Sequence, residues 1–99
     1  MSDKLWKANE RATAKRLGCK RMGPQGKSGP DEVGEWLCVE SKERRDLPKW
    51  LQEAMEQARC GCPETKLPIV QLHLFGRRHD NDYIIMSQAD FEAWFGLVR

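Results

Sequence analysis

The feature that most restricts the fold is a short segment, residues 35–42, which begins apolar and ends charged. Its sequence is EWLCVESK, a pattern that predicts a β-strand. Because side chains alternate between two faces along a strand, Glu40 and Lys42 emerge on one face, while Val39 and Ser41 point to the other. The strand is therefore expected to present an acid and a base together at its end.

Helix and strand patterns lie on both sides of this segment. Gly18 stands where the first helix is expected to end, and Ser87 followed by Asp90 resembles a capping box that opens the last helix. The order of elements predicts an α/β fold, with one mixed central β-sheet flanked by helices in a single domain over residues 1–99. The predicted elements are helices over residues 4–17, 46–59 and 87 onward, and strands over residues 35–42, 67–75 and 82–86.

Charge is distributed unevenly along the chain. Residues 1–30 hold eight Lys or Arg and two acids, whereas the remainder holds nine basic and thirteen acidic residues. A basic arm ahead of an acid-containing segment suits a protein that attracts a polyanion and handles it at a metal site. The alternative is a solvated helix face without a binding role.

The sequence indicates neither a membrane span nor a leader peptide. No apolar run approaches the roughly 18 residues that a span needs, and no apolar stretch with a cleavage site precedes the first helix. We therefore expect a cytoplasmic protein without membrane contact, whose four cysteines are free thiols. Cys60 and Cys62 leave zinc binding open as an alternative, although C-x-C is not the usual zinc spacing.

Two acids and a lysine follow the order P-D-(x8)-E-x-K, which suits phosphodiester chemistry. Asp31 ends a glycine-rich loop, and eight residues separate it from the sequence Glu40-Ser41-Lys42. Mg²⁺ and Mn²⁺ prefer hard oxygen ligands, so the carboxylates of Asp31 and Glu40 and the carbonyl of Ser41 are candidate ligands. Lys42 could orient the attacking water or offset charge on the transition state.

This pattern, set between a helix, a glycine-rich loop and a strand end, resembles the PD-(D/E)XK nuclease superfamily, and within it the small archaeal-type and phage-like Holliday junction resolvases. The resemblance spans most of the chain and implies a restriction-endonuclease-like core. It also implies that Glu10 joins the metal site from the first helix and that Ser28 matches a serine of the loop. Gln57 would support the site from the second helix. The chain is shorter than those resolvases after that helix.

We therefore expect a Mg²⁺-dependent, structure-selective DNA endonuclease, most simply a Holliday junction resolvase that acts on branched DNA as a homodimer. A virus-type replication and repair nuclease acting on flap or nicked DNA is one alternative, and an inactive nucleic-acid-binding module of the same fold is another. Basic residues around the motif are expected to contact the DNA backbone. They are Lys7, Arg11, Lys15, Lys20, Arg21, Lys27, Arg44 and Arg45, joined by Ser28 in the loop.

Each of these assignments has a structural alternative. Asp31 could be a turn residue, with Glu40 and Lys42 forming an ordinary surface pair, and Glu10 could form an ion pair along its helix with Lys7 or Arg11.

The aromatic and imidazole side chains have alternatives of the same kind. The four tryptophans fall on predicted core stripes, so we expect core packing and not base stacking. His73 is expected in the core, whereas His79, beside Arg77 and Arg78, could touch phosphate. The tryptophans are Trp6, Trp36, Trp50 and Trp94.

Overall fold

The computed structural model describes residues 2–22 and 29–96. The chain divides into two compact units, one formed by Met1–Arg45 with Phe95–Arg99 and the other by Asp46–Trp94. The P-D-(x8)-E-x-K pattern belongs to the first unit. The expectation that residues 1–99 form one nuclease domain stays a prediction.

Helices and short strands alternate along the described residues. None of these helices is both long enough and apolar enough to cross a membrane. The elements of the first unit are α1 (Ser2–Leu17), β1 (Lys20–Arg21), β2 (Glu32–Val33) and β3 (Cys38–Val39). Those that follow are α2 (Lys49–Arg59), β4 (Val70–Leu72), a 3₁₀ helix (His79–Asn81), β5 (Tyr83–Ile85) and α3 (Gln88–Phe95).

The first helix, α1, ends where the sequence predicts because Gly18 takes a left-handed conformation. Its φ is 66°, which glycine adopts without steric cost. The N–H of Cys19 then donates to the carbonyl of Ala14 at 2.8 Å and closes the last turn. Ala14 is buried, and α1 packs against β1 and β2.

The strands of the first unit form an antiparallel sheet in the order β1-β2-β3. The N–H of Gly34 donates to the carbonyl of Leu37 at 2.8 Å, so the chain turns between β2 and β3. The expected strand over residues 35–42 is therefore wrong in extent, since its first part forms this turn and only Cys38–Val39 pairs with β2.

The second unit contains α2 and an antiparallel hairpin of β4 and β5. α2 confirms the predicted helix, with Pro48 immediately before it, and the carbonyl of Pro48 accepts the N–H of Leu51 at 3.0 Å. β4 is shorter than the expected strand over residues 67–75. Pro68 has no N–H to offer a neighbouring strand, so pairing begins only at Val70.

The last helix, α3, begins with the cap that the sequence predicts. The Ser87 hydroxyl accepts the N–H of Asp90 at 3.1 Å, which satisfies one of the free donors at a helix start. The Asp90 carboxylate also pairs with Arg59 at the end of α2, at 2.9 Å. The start of α3 is thereby tied to α2.

The fold is mixed α/β, as expected, but its strands are arranged differently from the prediction. Within residues 2–22 and 29–96 they form two separate antiparallel sheets, of three and two strands. The expectation of one mixed central sheet is therefore wrong for this part of the chain. A parallel pair needs a long crossover such as the one that α2 provides, yet the strands on either side of α2, β3 and β4, belong to different sheets.

Apolar burial is limited in the part of the chain that the structure describes. Ala14 is its one buried apolar residue. The tryptophans keep large exposed fractions: 39% for Trp6, 52% for Trp36, 53% for Trp50 and 50% for Trp94. The expectation that all four are core residues is therefore wrong. Trp36, for example, lies in the hairpin turn and not on a strand.

Candidate functional site

The two carboxylates of the sequence pattern stand at matching ends of the β2–β3 hairpin. Glu32 pairs with Val39 in the register of the two strands, so the next position outward brings Asp31 opposite Glu40. Residues directly opposite in an antiparallel pair point to the same face, with Cβ atoms about 4.5–5.5 Å apart. Lys42 follows Glu40 on that face, one pleat further along.

Both carboxylates accept hydrogen bonds from the segment that follows β3. Asp31 Oδ2 accepts the backbone N–H of Ser41 at 2.8 Å, and Glu40 Oε2 lies 2.9 Å from Lys42 Nζ. The hydrogen bond and the charge of Glu40, together with the charge of Asp31, raise the pKa of Lys42. Lys42 therefore stays protonated beside both acids, on an exposed side chain.

Glu32, the neighbour of Asp31, is a site residue that the sequence pattern did not identify. Its side chain is fully buried, and its Oε1 accepts a hydrogen bond from the Ser41 hydroxyl at 2.6 Å. Among the described residues, Glu32 Oε2 is the one buried side-chain oxygen or nitrogen without a hydrogen-bond partner. Such atoms are rare, and they often mark the position of a water or an ion.

Negative charge is concentrated around Glu32. Burial raises its pKa above the ordinary value of 4.5, the hydrogen bond from Ser41 lowers it, and the charges of three other acids raise it, with a net increase. Either a proton on Glu32 or a nearby cation would relieve this repulsion. The three acids are Asp31, Glu10 and Glu40.

The raised pKa of Glu32 predicts a pH-dependent stability difference. A carboxyl group with a higher pKa in the folded state stabilises the fold when protonated, and this contribution is lost as pH rises from about 4.5 through the folded pKa. Glu32→Gln removes that loss and keeps an acceptor for Ser41. We expect the variant to be more stable than the wild type by about 1–2 kcal/mol near pH 8, without metal, and equally stable near pH 4.

Urea denaturation in chelator at both pH values measures this difference. Glu35→Gln is the matched control, because Glu35 is an exposed acid in the turn of the same hairpin. A variant less stable than the wild type at about pH 8 would mean that an ionised Glu32 contributes favourably to the fold.

Glu10 joins α1 to the sheet through an ion pair with Arg21 of β1. Arg21 Nε lies 2.7 Å from Glu10 Oε1, and the two side chains are 24% and 12% exposed. The Arg21 guanidinium is also 5.8 Å from the centre of the Trp6 ring, within the range of a cation–π contact. Arg21, which we expected at the DNA, therefore directs its charge at Glu10 and Trp6.

The other residues expected at the DNA are mostly exposed in the structure. Lys7 is half-buried, with its ammonium 5.7 Å from the centre of the Trp6 ring. Gln57, expected to support the site, is an exposed residue of α2 in the second unit. Lys27 and Ser28 lie outside the described residues. The exposed basic residues of the set are Arg11, Lys15, Lys20, Arg44 and Arg45.

The donor set around Glu32 has the chemistry that a hard cation requires. Mg²⁺ binds carboxylate oxygens and keeps several water ligands, and the acids here supply only carboxylate oxygens. Two of these acids already have cationic partners, since Glu10 contacts Arg21 and Glu40 contacts Lys42. Glu32 Oε2 and Asp31 are therefore the acids most available to a cation.

A tight ligand cluster occurs elsewhere in the described chain. Among residues 2–22 and 29–96, one set of three or more His, Cys, Asp or Glu residues has ligand atoms within 4.8 Å of one another, and it consists of His73, His79 and Asp82. The acids around Glu32 are more widely spaced than that. Binding of a cation there would require their side chains to move closer together.

No protein-family model, curated protein or solved structure matches the chain.

Proposed function

We propose that this protein is a metal-dependent DNA endonuclease whose active centre is formed by Asp31, Glu40 and Lys42. The observation that supports it best is the hairpin register, which sets the two acids opposite each other with Lys42 paired to Glu40. These residue types, on one face of adjoining strand ends, are those that phosphodiester cleavage needs. The resemblance to the PD-(D/E)XK nucleases supports the same reading.

Glu32 adds a further acid to this proposed centre. Asp31 and Glu40 would hold Mg²⁺ or Mn²⁺, together with the Ser41 carbonyl and, from α1, Glu10. Glu32 meets Asp31 at Ser41, which donates a hydrogen bond to each carboxylate, and its Oε2, which has no hydrogen-bond partner, would add a further ligand oxygen. A bound divalent ion supplies a Lewis acid and lowers the pKa of a water molecule.

Lys42 has a separate role in this proposal. Because its partner Glu40 keeps it protonated, it can hold a phosphate oxygen or the attacking water by an N–H donor. Its exposed side chain reaches towards solvent, where a DNA strand would lie.

The exposed basic residues of α1 and β1 would bind the DNA backbone. Arg11 and Lys15 lie on α1, and Lys20 lies at the start of β1. Contacts of this kind are independent of DNA sequence and weaken as salt rises, because each phosphate contact releases counterions.

Two neighbouring basic residues provide a test of this binding surface. We expect Lys20→Gln to weaken DNA binding and to reduce the slope of log K against log salt by about 1, because Lys20 is exposed. Arg21→Gln should leave that slope unchanged, because Arg21 is engaged with Glu10. Fluorescence anisotropy at several salt concentrations, in chelator, measures both slopes. Equal slopes for the two variants would contradict this assignment.

The proposed function is tested by incubating the protein with a four-way junction, a flap and a linear duplex, with Mg²⁺ or with chelator. Paired, metal-dependent nicks in the junction are the result expected of a junction resolvase. Cleavage of the flap alone would favour a replication and repair nuclease. Binding without cleavage of any of them would favour an inactive nucleic-acid-binding module.

A junction resolvase also needs two active centres, so we propose that the protein acts as a homodimer. Its limited apolar burial and exposed aromatic residues, among them Trp36 and Tyr83, are consistent with a partner surface. Sedimentation analysis over a range of concentrations, with and without junction DNA, measures the assembly. A monomer in both conditions would remove the basis for paired nicking.

A further inference from the structure

The β4–β5 hairpin carries a second group of potential ligands. Its register pairs Leu72 with Tyr83, so the next position outward brings His73 opposite Asp82. Gln71 precedes His73 by two residues and therefore shares its face of the hairpin. The expectation that His73 is a core residue is wrong, because its side chain is 37% exposed.

The third member of the group, His79, comes from the loop between the strands. His79 begins the 3₁₀ helix, and the N–H of Asp82 donates to its carbonyl at 3.0 Å. This turn brings the His79 ring over the hairpin, so that the ring centres of His73 and His79 are 4.3 Å apart.

Both imidazoles present Nδ1 to the same carboxylate. His73 Nδ1 lies 2.6 Å from Asp82 Oδ1, and His79 Nδ1 lies 2.9 Å from Asp82 Oδ2. The side chain of Asp82 is only 6% exposed, whereas that of His79 is 82% exposed. The carboxylate is thus enclosed while the side of the group formed by His79 is open to solvent.

We propose that His73, His79 and Asp82 form a binding site for a divalent first-row transition metal ion, with Zn²⁺ as the expected ion. Two imidazole nitrogens and one carboxylate oxygen are a ligand set typical of zinc and its neighbours, whereas Mg²⁺ prefers oxygen ligands alone. Three protein ligands leave a fourth position for water or another ligand. This proposal does not rest on the nuclease proposal.

The separations within the group are compatible with a single ion. Tetrahedral zinc with bonds of about 2.0–2.2 Å needs ligand atoms roughly 3.3–3.5 Å apart. One ligand atom from each of the three residues lies within 4.8 Å of the other two, so side-chain rotations would bring them to the required spacing.

Gln71 acts as a positioning residue for this site. Its side-chain amide donates a hydrogen bond to Asp82 Oδ2. Ligating carboxylates are commonly oriented by such outer partners, whose loss weakens metal binding by roughly 10- to 100-fold. The same hydrogen bond is expected if the group binds no metal, so metal binding must be measured directly.

The experiment titrates the purified full chain with Zn²⁺ in a calorimeter and follows the histidine side chains by ¹⁵N NMR. The chain contains two histidines, and both belong to this group, so every histidine signal reports on the site. We expect one equivalent of Zn²⁺ to shift both histidines. Asp82→Asn and His79→Ala should each weaken this binding by at least about tenfold.

Matched variants separate this site from other ligands. Asp80→Asn, in the same 3₁₀ helix and 83% exposed, should bind Zn²⁺ like the wild type. The Cys60→Ser/Cys62→Ser double variant and Asp31→Asn should also retain binding. The proposal would be overturned if Zn²⁺ did not bind, if its binding left both histidine signals unshifted, or if its binding required Cys60 and Cys62. Wild-type affinity in both His79→Ala and Asp82→Asn would also overturn it.

Discussion

Asp31→Asn is expected to reduce metal-dependent DNA cleavage by roughly a thousandfold or more, since a metal centre supplies several kcal/mol of transition-state stabilisation. The substitution removes one charged metal ligand. It keeps an oxygen that can accept the N–H of Ser41, which Asp31 now does at 2.8 Å, so the hairpin should be preserved. DNA affinity in chelator should change by less than about threefold, because basic residues supply it.

Single-turnover cleavage of the preferred DNA, together with anisotropy in chelator, measures both quantities. Asp46→Asn is the matched control, because Asp46 is an exposed aspartate outside the hairpin, and it should cleave like the wild type. Full activity of Asp31→Asn would exclude Asp31 from the centre. An equal loss of binding and cleavage would mean that the substitution acts on DNA affinity or on the fold.

Lys42→Ala is expected to lower the cleavage rate at saturating DNA by roughly a hundredfold or more, the range for a lost transition-state donor. The side chain of Lys42 is 63% exposed and its pair with Glu40 is a surface contact. Such pairs contribute little to stability, so the melting temperature should hardly change. Lys42→Arg keeps the charge and should recover part of the rate.

Lys20→Gln serves as the comparison for Lys42, since both are exposed lysines of the first unit. It should weaken DNA binding and leave the rate at saturation unchanged, whereas Lys42→Ala should do the reverse. Rates measured over a range of DNA concentrations separate these effects. If Lys42→Ala altered only the apparent affinity for DNA, Lys42 would contact the DNA backbone and take no part in the cleavage step.

Elements with strong local signals were predictable from the sequence. Gly18 ends α1, Pro48 precedes α2 and Ser87 caps α3, because each of these residues acts through its own backbone or side chain. Strand extents were not predictable in this way. An apolar run such as residues 67–75 indicates that the segment can be buried. Which of its residues pair depends on the neighbouring strand and on Pro68.

The candidate site was predictable in part for the same reason. The order of Asp31, Glu40 and Lys42 identifies a possible chemistry without showing which residues face each other. The sequence does not single out Glu32, because β2 has only two residues and gives no periodic signal of its own. Its place beside Asp31 depends on tertiary structure, because Ser41 of the neighbouring segment donates a hydrogen bond to each of the two carboxylates.

The aspartate–histidine cluster required tertiary information. His79 approaches Asp82 only because a 3₁₀ turn shortens the loop, and His73 is brought there by cross-strand register. Neither relation is visible in the spacing of the three residues along the chain.

The turn of the β2–β3 hairpin has a consequence for how such sites can vary. The number of residues between Asp31 and Glu40 in the sequence depends on the length of this turn. Their position opposite each other depends on the strand pairing. Extra residues inserted between Gly34 and Leu37 would lengthen the loop and leave both acids in place. A single residue inserted between Asp31 and β2 would instead send Asp31 to the opposite face. The turn is therefore the natural place to attach a label, and each acid is best identified by its distance from its own strand.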